Sequence, residues 1–240
     1  MASSADRMAA GAGFGALAKA DELKKRLWFT VGALIIYRLG TYLPLPGIDP
    51  GALADIFSQQ SSGILGMFDM FSGGALSRMT IFALNIMPYI TASIIMQLMT
   101  AIVPSLEALK KDGEAGRKMI NQYTRYLTVL LATVQGYGIA VGLESASGVV
   151  DDPGLFFRVT TVVTLVGGTL FLMWLGEQIT SRGVGNGISL IIFAGIVANL
   201  PTALAGTLEL GRTGALSSLL IVLLFVMAAA VIAFIVFIER

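Results

Sequence analysis

The sequence predicts an all-α integral membrane protein, and three observations of composition and pattern support this. Of the 240 residues, 55% are hydrophobic and only 13% are charged, whereas about a quarter of the residues in a soluble domain are charged. Long uncharged stretches separate short clusters of charge. These stretches are continuously apolar and do not alternate residue by residue, which excludes a closed β-barrel.

Six apolar stretches are long enough, or nearly so, to cross about 30 Å of hydrocarbon as helices of roughly 20 residues. Arg38 interrupts the first of them. We therefore predict about six transmembrane helices, at residues 27–44, 79–103, 122–143, 155–176, 188–205 and 216–238.

The N-terminal region resembles a signal peptide, because Lys24, Lys25 and Arg26 precede the first apolar stretch. However, no small-residue cleavage site follows, and the stretch runs into Pro44 instead. We interpret it as a retained first span, preceded by an N-terminal tail of residues 1–22.

Lysine and arginine are distributed unequally between the two sides of the predicted spans. Clusters precede the first span and separate the second from the third, whereas the opposite side carries only Arg78, Arg158 and Arg212. Positive residues favour the cytoplasmic side. The N-terminus is therefore predicted to be cytoplasmic, and with an even number of spans so is the C-terminal end of this segment.

The first external connection, residues 45–77, contains an apolar piece at 64–71 that ends at Ser72, Gly73 and Gly74. This piece is too short to span the membrane and too apolar for an exposed loop. It is explained either by a half-helix that folds back into the protein, with the glycines as its break, or by a helix lying flat on the outer surface.

The second connection, residues 104–121, is predicted to be a cytoplasmic loop. Its charges could dock a soluble partner or anionic lipid headgroups, although setting the topology is sufficient to explain them. The basic residues proposed for partner contact are Lys110, Lys111, Arg117 and Lys118.

Two pairs of isoleucines share a spacing of four residues, Ile86 with Ile90 and Ile188 with Ile192. This spacing places each pair on one helical face. If the two faces met, they would form part of a narrow apolar constriction. Isoleucine is abundant in membrane helices, so ordinary packing is the simpler interpretation from sequence alone.

Polar side chains within the predicted spans are candidates for function, because ionisable groups are costly inside a membrane. Glu177 suits a proton-coupling carboxylate, but it lies near the cytoplasmic end of its span, where interfacial exposure explains it more simply. Arg38 either reaches the outer interface or meets a carbonyl group inside the bundle. Thr91 and Gln97 suit hydrogen bonds between helices.

The composition disfavours catalysis. The sequence contains no cysteine and no histidine, which removes the commonest metal ligand and the usual general base. Residues 182–187 look like a phosphate loop, but they follow no strand and lack the terminal Gly-Lys-Ser/Thr. We interpret them as a tight turn in which Asn186 caps the next helix. The prediction is a protein that is not an enzyme and holds no metal or cofactor.

Several longer motifs are more specific, and they resemble the SecY family, the channel-forming subunit of the bacterial Sec translocon. The similarity runs from about Leu23 to the end. The motifs are Tyr-Leu-Pro-Leu-Pro-Gly-Ile-Asp at 42–49, Met-Phe-Ser-Gly-Gly-Ala-Leu-Ser-Arg at 70–78, Ile-Met-Pro-Tyr-Ile at 86–90, Gln-Tyr-Thr-Arg-Tyr at 122–126, Trp-Leu-Gly-Glu-Gln-Ile-Thr at 174–180 and Arg-Gly-Val-Gly-Asn-Gly-Ile-Ser at 182–189.

The resemblance implies a passive pore that moves unfolded secretory polypeptides across the membrane and releases membrane proteins sideways into lipid. Within it, Ile86, Ile90, Ile188 and Ile192 would belong to the pore ring, and Thr91 and Gln97 would lie at the lateral gate. A plug segment, residues 61–76, would close the pore, with its central residues being Met67, Phe68, Asp69, Met70, Phe71, Ser72, Gly73 and Gly74.

The resemblance also implies an inverted-repeat architecture in the bacterial plasma (inner) membrane. Five helices, residues 23–206, would form the first half, and residues 207–240 would supply an external loop and the sixth helix. Implied partners are SecE and SecG, the SecA motor or the ribosome, signal sequences as substrates, and membrane lipids. SecY proteins have about ten spans, so we expect this sequence to be a fragment.

Two other functions are alternatives to a translocation channel. A small-solute secondary transporter would use Glu177 or Arg38 near a broken helix, but it should carry mid-span charge pairs that the sequence lacks. A membrane-embedded enzyme is disfavoured by the missing histidine, cysteine and nucleotide motif.

Overall fold

A computed structural model of the chain describes residues 21–60, 69–70, 72–146, 148–214 and 217–239. Within these residues the structure is nearly all helical, and β pairing is limited to two isolated bridges, Pro44 with Thr80 and Ile48 with Val150. The all-α prediction is confirmed. The chain divides into two compact units between Ile196 and Val197.

The first unit contains six helices among its described residues and nearly all of a seventh, which ends two residues past the division. They are α1 (Asp21–Gly40), α2 (Pro50–Gln60), α3 (Met87–Ile102), α4 (Pro104–Lys111), α5 (Glu114–Ser145), α6 (Leu155–Arg182) and α7 (Gly187–Ala198). The second unit contains α8 (Leu200–Arg212) and α9 (Ser218–Glu239), which pack against each other.

Among the described residues, four helical stretches are long and apolar enough to cross a membrane. A fifth candidate is α3 together with α4, which are bent by 99° at Val103. Helix α1 is not among the candidates, because charged residues at its start and Arg38 near its end lower its apolar character. The four are Glu114–Ser145, Leu155–Arg182, Gly187–Arg212 and Leu219–Ile238.

The second predicted span begins later than expected. Residues 81–86 form consecutive turns, and α3 starts only at Met87, with Pro88 in its first turn. Asn85 adopts a φ of +50°, a left-handed conformation that asparagine tolerates better than most residues. The predicted helix over 79–86 is therefore wrong, because the chain turns sharply before the Pro-initiated helix begins.

Two helices occupy regions predicted as connections. The first external connection contains α2, in which Leu53 is buried and anchors the helix to the core. The predicted cytoplasmic loop is mostly helical, because α4 ends at Lys111 and α5 already begins at Glu114. Proline at the start of α2 and of α4 fits the first turn of a helix, where its missing N–H costs nothing.

The core of the first unit consists of two apolar clusters. One joins α1, the turns before α3, α6 and α7, and its fully buried members include Tyr37, Leu172 and Ile179. The other packs the external connection against α5 and α6, with Leu45 and Leu165 at its centre. The turns before α3 contribute to both clusters, so they are fixed in place by packing.

The connection between α6 and α7 is a tight turn, as predicted. The Asn186 side chain accepts hydrogen bonds from the backbone N–H groups of Ile188 and Ser189, at 3.1 and 3.4 Å. This confirms the predicted cap. The backbones approach closely where Gly176 meets Gly187, since a Cβ built on Gly187 would lie 2.0 Å from the Gly176 carbonyl oxygen.

Candidate functional site

Three of the four predicted pore-ring residues line one cavity. Ile86, at the end of the turns, Ile90, on the first turns of α3, and Ile192, on α7, border a space of about 220 Å³ together with Asn85 and Met87. Ile90 and Ile192 are half-buried, whereas Ile86 is only 1% exposed and packs within the core. The structure thus brings two helices together around an apolar space.

The fourth residue, Ile188, takes a different position. It packs against the same apolar cluster as Ile86, and its side chain lies close to Gly176, where a Cβ would come within 2.9 Å of it. Ile188 therefore fills the α6–α7 crossing and does not border the cavity.

The predicted plug segment, residues 61–76, is described only in part, because residues 61–68, which include Met67 and Phe68, and Phe71 lie outside the described residues. Its described end is a compact turn at residues 72–74, called the glycine turn below. Gly73 and Gly74 have φ values of +68° and +82°, which favour glycine strongly. The predicted break at the paired glycines is therefore present.

Asp69 organises the chain around the glycine turn. Its carboxylate accepts a hydrogen bond from the Ser77 N–H at 2.7 Å, and its backbone carbonyl accepts one from the Gly74 N–H at 3.0 Å. The Ser72 hydroxyl also donates to the Asp69 carbonyl, at 2.9 Å. Ser72 itself is 3% exposed, so this turn is buried and internally bonded.

The glycine turn is also held from outside, by the end of α1. Tyr37 donates its hydroxyl hydrogen to the Ser72 carbonyl at 3.4 Å, and Arg38 donates from Nη1 to the Gly73 carbonyl at 3.1 Å. Of the two alternatives for Arg38, the contact with a carbonyl inside the protein is the one that occurs. Its other terminal nitrogen donates to the Tyr42 hydroxyl at 3.2 Å.

The predicted gate residues Thr91 and Gln97 are both exposed on α3, but they border different cavities. Thr91 lies in a space of about 490 Å³ shared with Ser72 of the glycine turn and Gln135 of α5. Gln97 lies in a space of about 270 Å³ near the α4–α5 region. The two residues therefore do not form one site in this unit.

The four basic residues predicted for partner contact are all exposed, but they differ in their surroundings. Lys110 and Arg117 border the same 270 Å³ cavity as Gln97. Lys111 forms an ion pair with Glu107 at 2.6 Å, one turn earlier on α4. Because α4 packs against α5, these positive charges lie on two consecutive helices and not on an irregular loop.

Sequence reasoning missed the most extensive ion pair of this unit. Glu177 on α6 accepts hydrogen bonds from both Nε and Nη2 of Arg125 on α5, at 3.2 and 2.8 Å, and its second oxygen lies 2.7 Å from Nη2. Both residues fall within motifs that the sequence singled out. A separation of 52 residues gives no periodic signal of the contact.

A second cross-helix pair joins the C-terminal end of α5 to the N-terminal end of α6. Glu144 accepts hydrogen bonds from the Gly154 N–H at 2.9 Å and from Nε of Arg158 at 2.7 Å. The Glu144 side chain is 8% exposed. In the sequence, Arg158 has no predicted contact and counts only among the charges that predict the topology. In the structure it links α6 to α5 through Glu144.

Comparison with known proteins decides the family. The SecY family model matches residues 80–240, which is most of the chain and includes the turns before α3 and all later helices. The chain belongs to the SecY family. This confirms the resemblance carried by the sequence motifs.

Two SecY relatives show how far the similarity extends. The protein translocase subunit SecY of Buchnera aphidicola subsp. Acyrthosiphon kondoi is 59% identical over 222 residues, covering 91% of this chain and 62% of the relative. The SecY subunit of Escherichia coli strain K12 is 58% identical over 222 residues, covering 91% of this chain and 50% of the relative. The chain thus spans between half and three-fifths of these SecY proteins.

Solved structures agree on the fold. A protein-conducting channel matches with a TM-score of 0.55 at 20% identity, covering 80% of this chain and 39% of the other. Sec61 in the canine ribosome–channel complex from the endoplasmic reticulum matches with the same values. The all-α SecY-type fold and the multi-pass membrane character of the chain are therefore established.

Proposed function

We propose that this chain forms the first half, plus the beginning of the second, of a SecY channel that conducts unfolded secretory polypeptides and inserts membrane proteins laterally into lipid. The supporting observation is the apolar cavity that Ile86, Ile90 and Ile192 border between the start of α3 and α7. An apolar constriction can surround a polypeptide without hydrogen-bonding its backbone. In the relatives, the name protein translocase subunit is consistent with this role.

The proposed architecture follows the predicted boundaries. Residues 1–22 form a cytoplasmic tail, residues 23–206 a five-helix half that includes the plug at 61–76, and residues 207–240 the start of the second half. The membrane is the bacterial plasma membrane, with the N-terminus and the end of this segment in the cytoplasm. This orientation rests on the unequal distribution of lysine and arginine.

The proposed partners follow from membership of the SecY family, and the proposed orientation decides on which side the soluble ones dock. SecE and SecG are the companion subunits, and the SecA motor or the ribosome docks on the cytoplasmic side. There, the exposed helical residues Lys110, Lys111, Arg117 and Lys118 offer a basic surface to a partner or to anionic lipid headgroups. Signal sequences and unfolded polypeptides are the substrates, with Thr91 and Gln97 at the lateral gate. No catalytic step is assigned to the chain.

The alternative, a small-solute secondary transporter, requires a charged group that can couple to a solute or a proton. The two candidates are both engaged with the protein itself. Arg38 donates to the Gly73 carbonyl, and Glu177 pairs with Arg125. This engagement favours the channel over the transporter.

The test is crosslinking of single cysteines to a stalled secretory polypeptide, in full-length protein in membranes with its companion subunits. The chain contains no cysteine, so Ile90→Cys and Ile192→Cys introduce unique sites in this region. Val163→Cys on α6, at a side chain that is 65% exposed, is the matched control. We expect crosslinks from the two cavity positions and none from the control. Crosslinks from neither cavity position during active translocation would refute the pore assignment.

A further inference from the structure

Two backbone carbonyl groups of the glycine turn, those of Ser72 and Gly73, accept their hydrogen bonds from side chains outside the turn. Non-helical backbone at membrane depth persists only where the protein supplies hydrogen-bond partners, because lipid supplies none. Here the partners are consecutive side chains of α1. Tyr37 bonds to the carbonyl of Ser72, and Arg38 bonds to the carbonyl of Gly73. Two consecutive side chains of α1 therefore bond to two consecutive carbonyl groups of the glycine turn.

Tyr42 also contacts the Arg38 guanidinium and orients it toward the glycine turn. Nη2 of Arg38 donates to the Tyr42 hydroxyl one turn later, and the guanidinium carbon lies 5.4 Å from the centre of the Tyr42 ring. The guanidinium of Arg78, which follows the glycine turn, lies 4.5 Å from the same ring. A planar guanidinium with fixed donors can bond to an aromatic hydroxyl and a carbonyl at the same time, which an ammonium group cannot do as well.

The contact also depends on a glycine at position 73. A Cβ there would lie 2.9 Å from Nη1 of Arg38 and 3.1 Å from the backbone of Gly195 on α7. The turn is thus enclosed between α1 and α7, and only a residue without a side chain fits at this backbone conformation. α7 also carries Ile192, which borders the apolar cavity.

We propose that Arg38 is a latch for the glycine turn. Its charged hydrogen bond to the Gly73 carbonyl holds the turn between α1 and α7, and this bond must break before the turn can leave. Tyr42 positions the guanidinium, and Tyr37 adds a weaker second bond. The proposal rests on the proposed function, in which the glycine turn belongs to the plug, and it identifies the residue that controls release of the turn.

The latch can be tested without transport, by measuring how well the glycine turn is protected from a water-soluble maleimide. Ser72→Cys is nearly isosteric and sits at a side chain that is 3% exposed. In full-length protein in membranes, with any cysteine outside this region replaced, its thiol should react slowly. If opening is fast relative to labelling, the labelling rate follows the population of the released turn.

Arg38→Met in the Ser72→Cys background removes the donor and the charge while keeping an unbranched side chain. We expect labelling to accelerate at least about tenfold, the factor that corresponds to losing a hydrogen bond to a charged group. Arg38→Lys retains the charge but replaces the planar guanidinium by a single ammonium nitrogen, so its labelling rate should fall between those of the parent and of Arg38→Met.

A separate cysteine distinguishes a released latch from a damaged fold. Ala140→Cys on α5 is fully buried and belongs to neither α1 nor the glycine turn. We expect its labelling rate to be unchanged by Arg38→Met. Acceleration at both positions, or unchanged labelling at Ser72→Cys, would overturn the latch. Since labelling needs no substrate, a failed latch and a failed polypeptide-crosslinking test remain distinguishable.

Discussion

Arg125 and Glu177 join the two longest described helices by a bidentate ion pair, in which Nη2 of Arg125 lies 2.7 Å from Oε2 of Glu177 and Nε lies 3.2 Å from Oε1. The two side chains are 47% and 35% exposed, so water screens much of their attraction. The geometry of the paired contact is nonetheless specific, because a guanidinium fork matches a carboxylate in one orientation.

A double-mutant cycle should measure this coupling. We expect Arg125→Gln and Glu177→Gln each to lower the free energy of unfolding, with a coupling of about 0.5–1 kcal/mol between them. The measurement is unfolding in mixed detergent micelles at low and at high salt, where the coupling should shrink. Additive single effects would show that the ion pair contributes no coupling energy to stability.

Gly73 should be intolerant of any side chain. The backbone alone disfavours alanine at a φ of +68° by about 1–2 kcal/mol, and the new Cβ would also meet Arg38 and Gly195. Gly148→Ala is the matched control, because Gly148 has a φ of +82° but no atom within 4 Å of a built Cβ.

We therefore expect Gly73→Ala to lower the melting temperature of the full-length protein more than Gly148→Ala does. The difference between the two variants isolates the steric contact from the backbone strain. Equal decreases would mean that the enclosure of the glycine turn contributes nothing beyond its conformation.

The sequence was most informative where a local pattern determines the structure. The cap by Asn186 and the break at Gly73 and Gly74 depend on residues that are neighbours in the chain, so composition and spacing predict them. The late start of α3 was missed because an apolar run has the same appearance in a helix and in a packed series of turns. Leu53 on α2 is buried by tertiary contacts that no local pattern encodes.

In the candidate site, too, local spacing predicts some features and tertiary packing determines the others. Spacing placed Ile86 and Ile90 on one face, but only the fold shows that Ile192 borders their cavity while Ile188 fills a helix crossing. Pairings across helices, such as Arg38 with the Gly73 carbonyl, depend on how the helices pack. A single sequence contains no record of that packing.

Thr30 links α1 to the turn between α6 and α7 by a hydrogen bond. Its hydroxyl donates to the Arg26 carbonyl at 2.9 Å and accepts from the Val184 N–H at 3.1 Å. Thr30→Val removes the acceptor and keeps the shape of the side chain. We expect the free energy of unfolding to fall by about 1 kcal/mol, the typical value of one intramolecular hydrogen bond.

Thr133→Val is the control for this substitution, since the Thr133 hydroxyl bonds only to the Val129 carbonyl of its own helix. We expect a smaller change there, because the carbonyl keeps its helical hydrogen bond. Thr30→Ser should retain stability by preserving the acceptor. If Thr30→Ser is as unstable as Thr30→Val, then packing of the methyl group explains the effect and the hydrogen bond does not.

The pair of Glu144 and Arg158 predicts an asymmetry between its two members. Glu144 is 8% exposed and has two sources of donors, the Gly154 N–H and the Arg158 guanidinium. Arg158→Gln removes the charged donor and leaves the nearly buried Glu144 carboxylate without a compensating positive charge. This costs more stability than replacing the Glu144 carboxylate itself by a neutral amide. Glu144→Gln leaves a neutral amide that still accepts from Gly154, while Arg158, at 38% exposure, can reach water.

We therefore expect the melting temperature to fall most for Arg158→Gln, less for Glu144→Gln, and least for the control Glu209→Gln. The control breaks a pair with Arg212 whose side chains are 55% and 79% exposed, and such surface pairs contribute little. In the double variant with Arg158→Gln and Glu144→Gln, the carboxylate is gone, so stability should recover above that of Arg158→Gln alone. A double variant less stable than both single variants would contradict the uncompensated-carboxylate explanation, and the pair would then act only by packing the hairpin.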